Sequence, residues 1–483
     1  MPQSVRSQLV HGLFWNAIEK FLLHGITFFI GIVLARLLSP SDFGLLGMLS
    51  VFLLVLSAFV DSGLSNALVQ KHNCTKSDFS TVFSVNMVMS IAVAIILLVS
   101  APYIAAFYHE PILTNITRLL ALNVVLNAFN IVHRAQLTLK VDFKSLAQIN
   151  VACTIISGIV GISMAYAGYG VWSLVWQTIT RTICGIVLFP IYSRWRPSIH
   201  FSANSFHELF GYGSKLLVTN IYSVVISNIS TLFIGRTYNS TALGYYTKAN
   251  QTPNTISSFI MGVLGSVTFP VMSEIKEDKE HMFRLYKKAL FTTALTVFPV
   301  MMLFCILSKP FIILFLTEKW LPCLLMMQLY CFARMFTPLS SLNISVLNAS
   351  GRSDLFMWMD LSKAPLILGA LIITIPISVE AIVWGNVITT VICFFINAYL
   401  PGKLFGYGAF DQLKDWRFII LSVGLMCCIV YAYCCMVENL WLQLLGGGIV
   451  GVLSYAIFCC VFKVIDYSSF YQMIKIRSIY KNE

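Results

Sequence analysis

The chain has 483 residues, of which 58% are hydrophobic and only 11% charged, against roughly a quarter charged in ordinary soluble domains. A soluble fold of this length cannot hide that much apolar surface, whereas a bilayer is itself an apolar solvent, so the composition excludes a soluble globular protein. The formal net charge of +12 does not point to nucleic acid, because the basic residues lie in short loops between apolar runs and not on one polar domain.

In chain order, about fourteen apolar segments are long enough to cross a hydrocarbon core as helices. They cover 13–36, 43–67, 80–106, 113–137, 146–167, 170–192, 210–235, 244–273, 286–308, 321–348, 355–377, 380–400, 417–437 and 440–462. The expected fold class is an all-α integral membrane protein. Its expected divisions are an N-lobe of spans 1–6 (1–195), a cytoplasmic linker (196–208) and a C-lobe of spans 7–12 (209–402). A cytoplasmic loop (403–416), spans 13 and 14 (417–464) and a cytoplasmic tail (465–483) follow. The first segment reads as a span and not as a cleaved signal peptide, whose apolar run is short and ends at small residues.

Basic residues fix the expected orientation. Loops after even-numbered spans carry Lys71 and Lys76, Lys140 and Lys144, Arg194 and Arg196, a cluster from Lys276 to Lys288, Arg352, and Lys403, Lys414 and Arg417. Loops after odd-numbered spans are poor in them. By the positive-inside rule both termini face the cytoplasm. The thirteen cysteines lie mostly inside apolar runs, away from any polar CxxC or Cys/His spacing, and read as small hydrophobes.

The two halves of the chain resemble each other. Arg36 and Gly44 recur as Arg236 and Gly244, 200 positions on. Pro102-Tyr-Ile-x-x-Phe107-x-x-Glu110 recurs as Pro310-Phe-Ile-x-x-Phe315-x-x-Glu318, 208 positions on, and Val175-Trp176 as Val383-Trp384. Each unit holds six spans, an even number, so both keep one orientation. That is a parallel repeat, a plan that places a transported substrate between the halves. Spans 13 and 14 stand outside it.

Several spans carry polar residues on one helical face. Span 1 has Asn16, Lys20 and His24; span 4 has Asn123, Asn127, Asn130 and Arg134. Span 7 has Lys215 and Thr219; span 8 has Lys248, Gln251 and Thr255; span 10 has Arg334 and Ser341. A charge at bilayer depth costs at least about 2.5–3.5 kcal/mol on insertion scales, so such residues face a bundle interior or a wet cavity. Lys20, Arg134, Lys215, Lys248 and Arg334 are the candidate substrate-binding cations. The uncharged Asn16, Asn123, Asn127, Asn130, Thr219, Gln251, Thr255 and Ser341 are the candidate polar lining. The bland alternative for the lining is interhelical glue at about 0.6 kcal/mol each. Interior acids are few, and Asp61 and Glu19 are the candidates for ion coupling. A cationic cavity suits an anionic substrate such as a phosphate or pyrophosphate headgroup.

No phosphate loop, zinc-protease motif or nucleophile elbow occurs, so no ATP motor or hydrolase is expected, and neither is a metal or cofactor. The run Gly12-Leu-Phe-Trp15-Asn16, followed by Ile32-Val-Leu-Ala-Arg36-Leu-Leu-Ser-Pro40-Ser-Asp-Phe-Gly44, resembles the opening of polysaccharide and lipopolysaccharide exporters. Asp61-Ser-Gly63-Leu-Ser65-Asn-Ala-Leu-Val-Gln70 and Leu243-Gly244-Tyr-Tyr246 fit the same family, part of the multidrug/oligosaccharidyl-lipid/polysaccharide flippase superfamily. The resemblance implies a V-shaped pair of six-helix lobes around a cationic cavity, in a bacterial inner membrane. Wzx-type members flip undecaprenyl-pyrophosphate-linked sugar units to the periplasmic leaflet for lipopolysaccharide, capsule or exopolysaccharide. The partners it implies are that lipid-linked oligosaccharide, membrane lipids and the polysaccharide polymerase or ligase machinery. Related lipid II flippases carry cavity arginines on spans 1, 2 and 8. This chain offers Lys20 and Lys248 on the first and eighth, but Asp61 on the second.

The sequence leaves two rival functions open, an ion-coupled multidrug or small-molecule antiporter of the same superfamily and a membrane glycan ligase or polymerase. The loop charges yield the first prediction. Tags at either terminus should stay shielded from a membrane-impermeant reagent in intact cells, and labelling from outside would overturn the orientation.

Overall fold

The computed structural model describes residues 21–464 apart from 62, 72–73, 141, 199, 275–278 and 350–352. Within helices it leaves out the side chains of 66, 69–70, 212, 215–216, 263–274, 279, 348–349 and 353–358. Among the described residues there is no strand. The helices are α1 (Phe21–Leu37), α2 (Pro40–Asp61), α3 (Leu64–Gln70), α4 (Lys76–Tyr108), α5 (Ile112–Leu139), α6 (Phe143–Tyr166), α7 (Val171–Ser193) and α8 (Ala203–Thr237). There follow α9 (Ser240–Glu274), α10 (Lys279–Phe311), α11 (Leu324–Ala349), α12 (Ser353–Thr374), α13 (Val379–Phe405), α14 (Ala409–Asp415), α15 (Arg417–Met436) and α16 (Leu440–Val461).

Backbone amides with no water to bond must bond within the chain, and a helix does so segment by segment. The described parts of the expected spans are helical, the second of them divided between α2 and α3 at Gly63. Ten of these are long and apolar enough to cross a membrane: α2, α4 to α7, α13, α15 and α16, with Leu217–Thr237 of α8 and Glu280–Leu316 running on from α10. The other four expected spans lie on α1, α9, α11 and α12, each of which borders or includes positions outside the described set.

Helix starts follow local chemistry. Thr75 and Asp78 form a reciprocal capping box at α4, and Asp142, Ser202, Ser378 and Asn439 accept from the first-turn amides of α6, α8, α13 and α16. At the start of α2 the Ser39 hydroxyl accepts from the Asp42 amide at 3.3 Å. At the start of α9 the Asn239 side chain accepts from the Ala242 amide at 2.7 Å. These caps stand 200 positions apart, at the offset of the Arg–Gly repeat.

Contacts divide the chain into two compact units, Met1–Lys248 and Ala249–Glu483. In the first, α4 packs on α5, α5 on α7 and α6 on α7. The buried Leu137, Leu146, Ile149, Cys153 and Phe189 fill the space where α5, α6 and α7 meet. Ile30 and Leu34 of α1 pack with Ala165 of α6 and Leu174 of α7. In the second unit the corresponding helices pair alike: α10 with α11, α11 with α13 and α12 with α13. Its core holds Tyr286, Met301, Phe394, Trp416 and Met426, with α15 and α16 packed against α10. The 208-position repeat shows in the backbone as well. His109 and Thr317, both non-glycine residues, take positive φ of 57° and 83° just before Glu110 and Glu318.

On the side that the loop charges assign to the cytoplasm, Lys71 bridges Asp78 at 3.0 Å and Glu208 at 2.9 Å. Hydrogen bonding to Glu208 raises the Lys71 pKa, against a smaller lowering by burial. Ser80 meets Ser198 at 2.6 Å and the Ser202 amide donates to Thr81 at 3.1 Å, so the segment leading into α8 is stitched to the base of α4.

The opposite ends of α2 and α9 touch through backbone. A methyl group on Gly44 would stand 1.7 Å from the Ser240 carbonyl oxygen, and one on Gly244 would stand 1.8 Å from that of Pro40. The Ser41 and Ser240 hydroxyls meet between them at 2.8 Å, and Ser240 also donates to Glu110 at 2.9 Å. Only glycine permits this approach at both points. Replacing either Gly44 or Gly244 by alanine should destabilise the protein by about 1–3 kcal/mol, the cost of an overpacked contact. Ser41→Ala should cost less than either. Thermal unfolding of the three purified variants checks the order, and equal melting points would refute the close contact.

Candidate functional site

The first unit contains a cavity of about 290 Å³ walled by α1, α5, α6 and α7. Its lining is Leu23, Asn127, Asn130, Ile131, Arg134, Asn150, Cys153, Arg181, Thr182, Gly185 and Phe189. Asn127, Asn130 and Arg134 recur at helical spacing and share one face of α5. Arg181, Gly185 and Phe189 do the same on α7. One apolar cluster keeps the three helices in register: Leu137, Cys153 and Phe189 are buried together, and Cys153 and Phe189 also line the cavity.

One hydrogen bond sets the spacing of α5 and α7. Asn130 is buried and donates its amide to the Thr182 carbonyl at 3.1 Å. The contact needs a bare backbone opposite it, since a methyl on Gly185 would stand 2.8 Å from Asn130 Nδ2. Thr182 follows Arg181 and Asn130 precedes Arg134 by one helical turn, so the bond that joins the helices also brings the two arginines to one hollow. Both arginines are exposed to it. Among the described residues neither takes part in an ion pair. Two guanidiniums with neutral amides around them offer multiple fixed donors in a setting of low dielectric, which suits a phosphate or pyrophosphate.

Asp61 lies near this group. Its carboxylate accepts from the Ser65 hydroxyl, and the positive charge of Arg134 acts on it electrostatically.

The other expected cations have different surroundings. Lys248 is buried, donates to the Gly31 carbonyl of α1 at 3.1 Å, and lies 5.2 Å from the centre of the Phe43 ring. In the second unit Arg334 donates to Asn250 at 2.7 Å and sits 5.7 Å from the centre of the Tyr330 ring. Each is held by a protein carbonyl oxygen and an aromatic face. Of the expected polar lining, Asn123 is half-buried, Thr219 and Gln251 are exposed, Thr255 donates to the Gln251 carbonyl at 2.9 Å, and the Ser341 carbonyl accepts from Ser345 at 2.8 Å. Asn16, Glu19, Lys20 and the side chain of Lys215 lie outside the described residues.

Arg181 and Asn150 are cavity residues that the sequence stripes passed over. The signal for Arg181 was present, a charge in the middle of the sixth span beside Gln177, Thr178 and Thr182. Among the described residues no group of three or more His, Cys, Asp or Glu could hold a metal.

Comparisons with known proteins agree with this architecture. The chain is 24% identical over 405 residues to the teichuronic acid biosynthesis protein TuaB of Bacillus subtilis, covering 83% of each. It is 22% identical over 449 residues to the succinoglycan biosynthesis transport protein ExoT of Rhizobium meliloti, covering 92% of this chain and 91% of the relative. Among solved structures, the lipid II flippase MurJ in an inward closed conformation superposes with a TM-score of 0.74 and 18% identity, over 92% of this chain and 98% of that one. The fold is thus the MurJ fold, as the resemblance in the opening residues implied. The model of one protein family, described as polysaccharide biosynthesis protein, matches residues 33–325, and the chain belongs to that family.

Proposed function

We propose that this protein is a flippase that moves a lipid-linked oligosaccharide across the bacterial inner membrane by alternating access, for the synthesis of a surface polysaccharide. The observation that carries the reading is the hollow with Arg134 and Arg181 in a member of a polysaccharide biosynthesis family. A lipid-linked sugar presents three chemistries. Its isoprenoid tail dissolves in hydrocarbon and needs no protein cavity. Its glycan needs hydrogen bonds, and its phosphates need positive charge at a depth where lipid offers none. Arg134 and Arg181 are the candidate phosphate ligands, and Asn127, Asn130 and Asn150 supply the polar wall. Both termini face the cytoplasm on this reading, and the polymerase or ligase machinery is a partner class on the opposite, periplasmic side.

The charge of the hollow argues against the drug-antiporter reading. An organic cation entering it would meet two guanidiniums and, among the described lining residues, no carboxylate. The ligase or polymerase reading finds no His, Asp or Glu among the described lining residues to act as general base for Cys153 or Thr182.

In cells depleted of the protein, lipid-linked repeat units should accumulate facing the cytoplasm, and re-expression should move them outward. An unchanged leaflet distribution would sink the flippase reading. Loss of a hydrogen bond to a charged group costs about 1.5–3 kcal/mol. Arg134→Ala and Arg181→Ala should therefore each weaken inorganic pyrophosphate binding to the purified protein by on the order of ten- to a hundredfold. Unchanged pyrophosphate affinity in both would remove the cavity from the transport path.

A further inference from the structure

The cavity contains more than an anion site. At about 290 Å³ it lies at the small end of the range for ligand pockets. That is room for a phosphate and an adjoining sugar ring, not for a whole oligosaccharide. Two guanidiniums disfavour a cation in the remaining space, so a neutral sugar ring is admitted beside the phosphate.

The amides in the wall are not equivalent. Asn130 is buried, and its NH2 group gives one hydrogen bond to the Thr182 carbonyl. Asn150 is engaged within the protein. Asn127 is exposed to the cavity and, among the described residues, bonds to no protein group. It therefore faces a ligand with two donors and an acceptor together, the pattern that matches a hydroxyl group, itself both donor and acceptor. Position completes the argument. Side chains on a helix lean towards its N-terminus, so the long Arg134 side chain reaches back over the turn that carries Asn130, towards Asn127.

We infer that Asn127 reads the hydroxyls of the sugar joined directly to the phosphate held by Arg134 and Arg181, which makes it a specificity-determining residue for that first sugar. The inference rests on the flippase reading of the cavity and adds to it where recognition of the glycan occurs. The sugars beyond the first lie outside this hollow and go unread by it.

The test compares two ligands of like charge, methyl phosphate and a hexose 1-phosphate, on the full-length protein in detergent by calorimetry. Glucose, galactose and N-acetylglucosamine 1-phosphates are each tried. A neutral hydrogen bond is worth about 0.5–1.5 kcal/mol, so the best hexose 1-phosphate should bind about two- to tenfold tighter than methyl phosphate. In Asn127→Leu the ratio should fall to near one while methyl phosphate affinity stays put. Asn127→Ser, too short to span the gap, should do the same and serves if the leucine variant does not fold. A wild-type ratio of one for all three sugars, or a ratio that survives both substitutions, overturns the inference. It does so without touching the anion site as long as methyl phosphate affinity still falls in Arg134→Ala. If methyl phosphate affinity is unchanged in Arg134→Ala and Arg181→Ala, the cavity reading fails and the inference falls with it.

Discussion

Hydrocarbon cannot solvate a charge, and the described cations of the spanning helices α5, α7, α9 and α11 answer that constraint in two ways. A cation on a spanning helix must either find a partner in the protein or face a hollow. Lys248 and Arg334 take the first course. The Gly31 carbonyl and the Phe43 ring receive one, the Asn250 carbonyl oxygen and the Tyr330 ring the other. Arg134 and Arg181 take the second, and the hollow they share exists because Asn130 bonds across to Thr182 opposite a glycine. The same residue types on the same kind of stripe thus serve two ends, and the partner decides which. A cation already balanced by protein dipoles has less to offer an incoming phosphate than one facing open space.

The internal repeat turns one solution into two. Its packing is expressed twice, with α4, α5, α6 and α7 answered by α10, α11, α12 and α13. Its local devices are also expressed twice. Ser39 and Asn239 each cap a helix, Gly44 and Gly244 each admit a carbonyl, and His109 and Thr317 each turn the chain with positive φ. The offset between copies grows from 200 to 208 between Gly244 and Pro310. That stretch includes α9, a single helix of 35 residues where the first copy breaks its course between α2 and α3 at Gly63. The starts of α4 and α10, Lys76 and Lys279, are already 203 apart, and the ends of the following runs, Tyr108 and Leu316, are 208 apart, so the extra length is divided between the α9 segment and the run from α10 to Leu316. Duplicated sequence has kept the contacts that fix helix pairs and varied the segments between them.

The spans were legible because hydropathy over some twenty residues is an average, and averages survive local exceptions. Helix starts were legible for the same kind of reason, since Thr75 with Asp78, or Asn439 ahead of Leu440, is a local pattern of fixed spacing. The cavity was legible only in half. Asn127, Asn130 and Arg134 announce a polar face on the fourth span. Whether that face meets anything depends on which helix packs against it and at what rotation, and this is a long-range fact. Arg181 supplies the other half from a span whose apolar ends drew attention from its polar middle. Nothing local marks Gly185 as the seat of Asn130, or the Gly31 carbonyl as the partner of Lys248. Both are backbone contacts between positions far apart in the chain.

Transport also sets an upper limit on affinity. A site that gripped a pyrophosphate with every charge available would hold it and stop, so a carrier must bind well enough to collect its cargo and weakly enough to release it. The surroundings of Arg134 contain a device suited to that compromise. Asp61, fixed by Ser65 at the junction of α2 and α3, lies within electrostatic reach of the Arg134 guanidinium. A carboxylate near one member of an arginine pair lowers the positive potential that an anion meets there. It also leaves Arg134 with a neighbour of opposite charge once the cargo has gone, which reduces the cost of emptying a cationic hollow inside the membrane. Among the described residues no carboxylate acts on Arg181: Arg134 and Cys153 are the groups to which it couples. On the proposed reading the pair is therefore unequal. Arg181 is the less compensated member among the described residues, but removing Arg134 also leaves the Asp61 carboxylate uncompensated beside the site, so the loss of Arg134 should weaken anion binding more than the loss of Arg181.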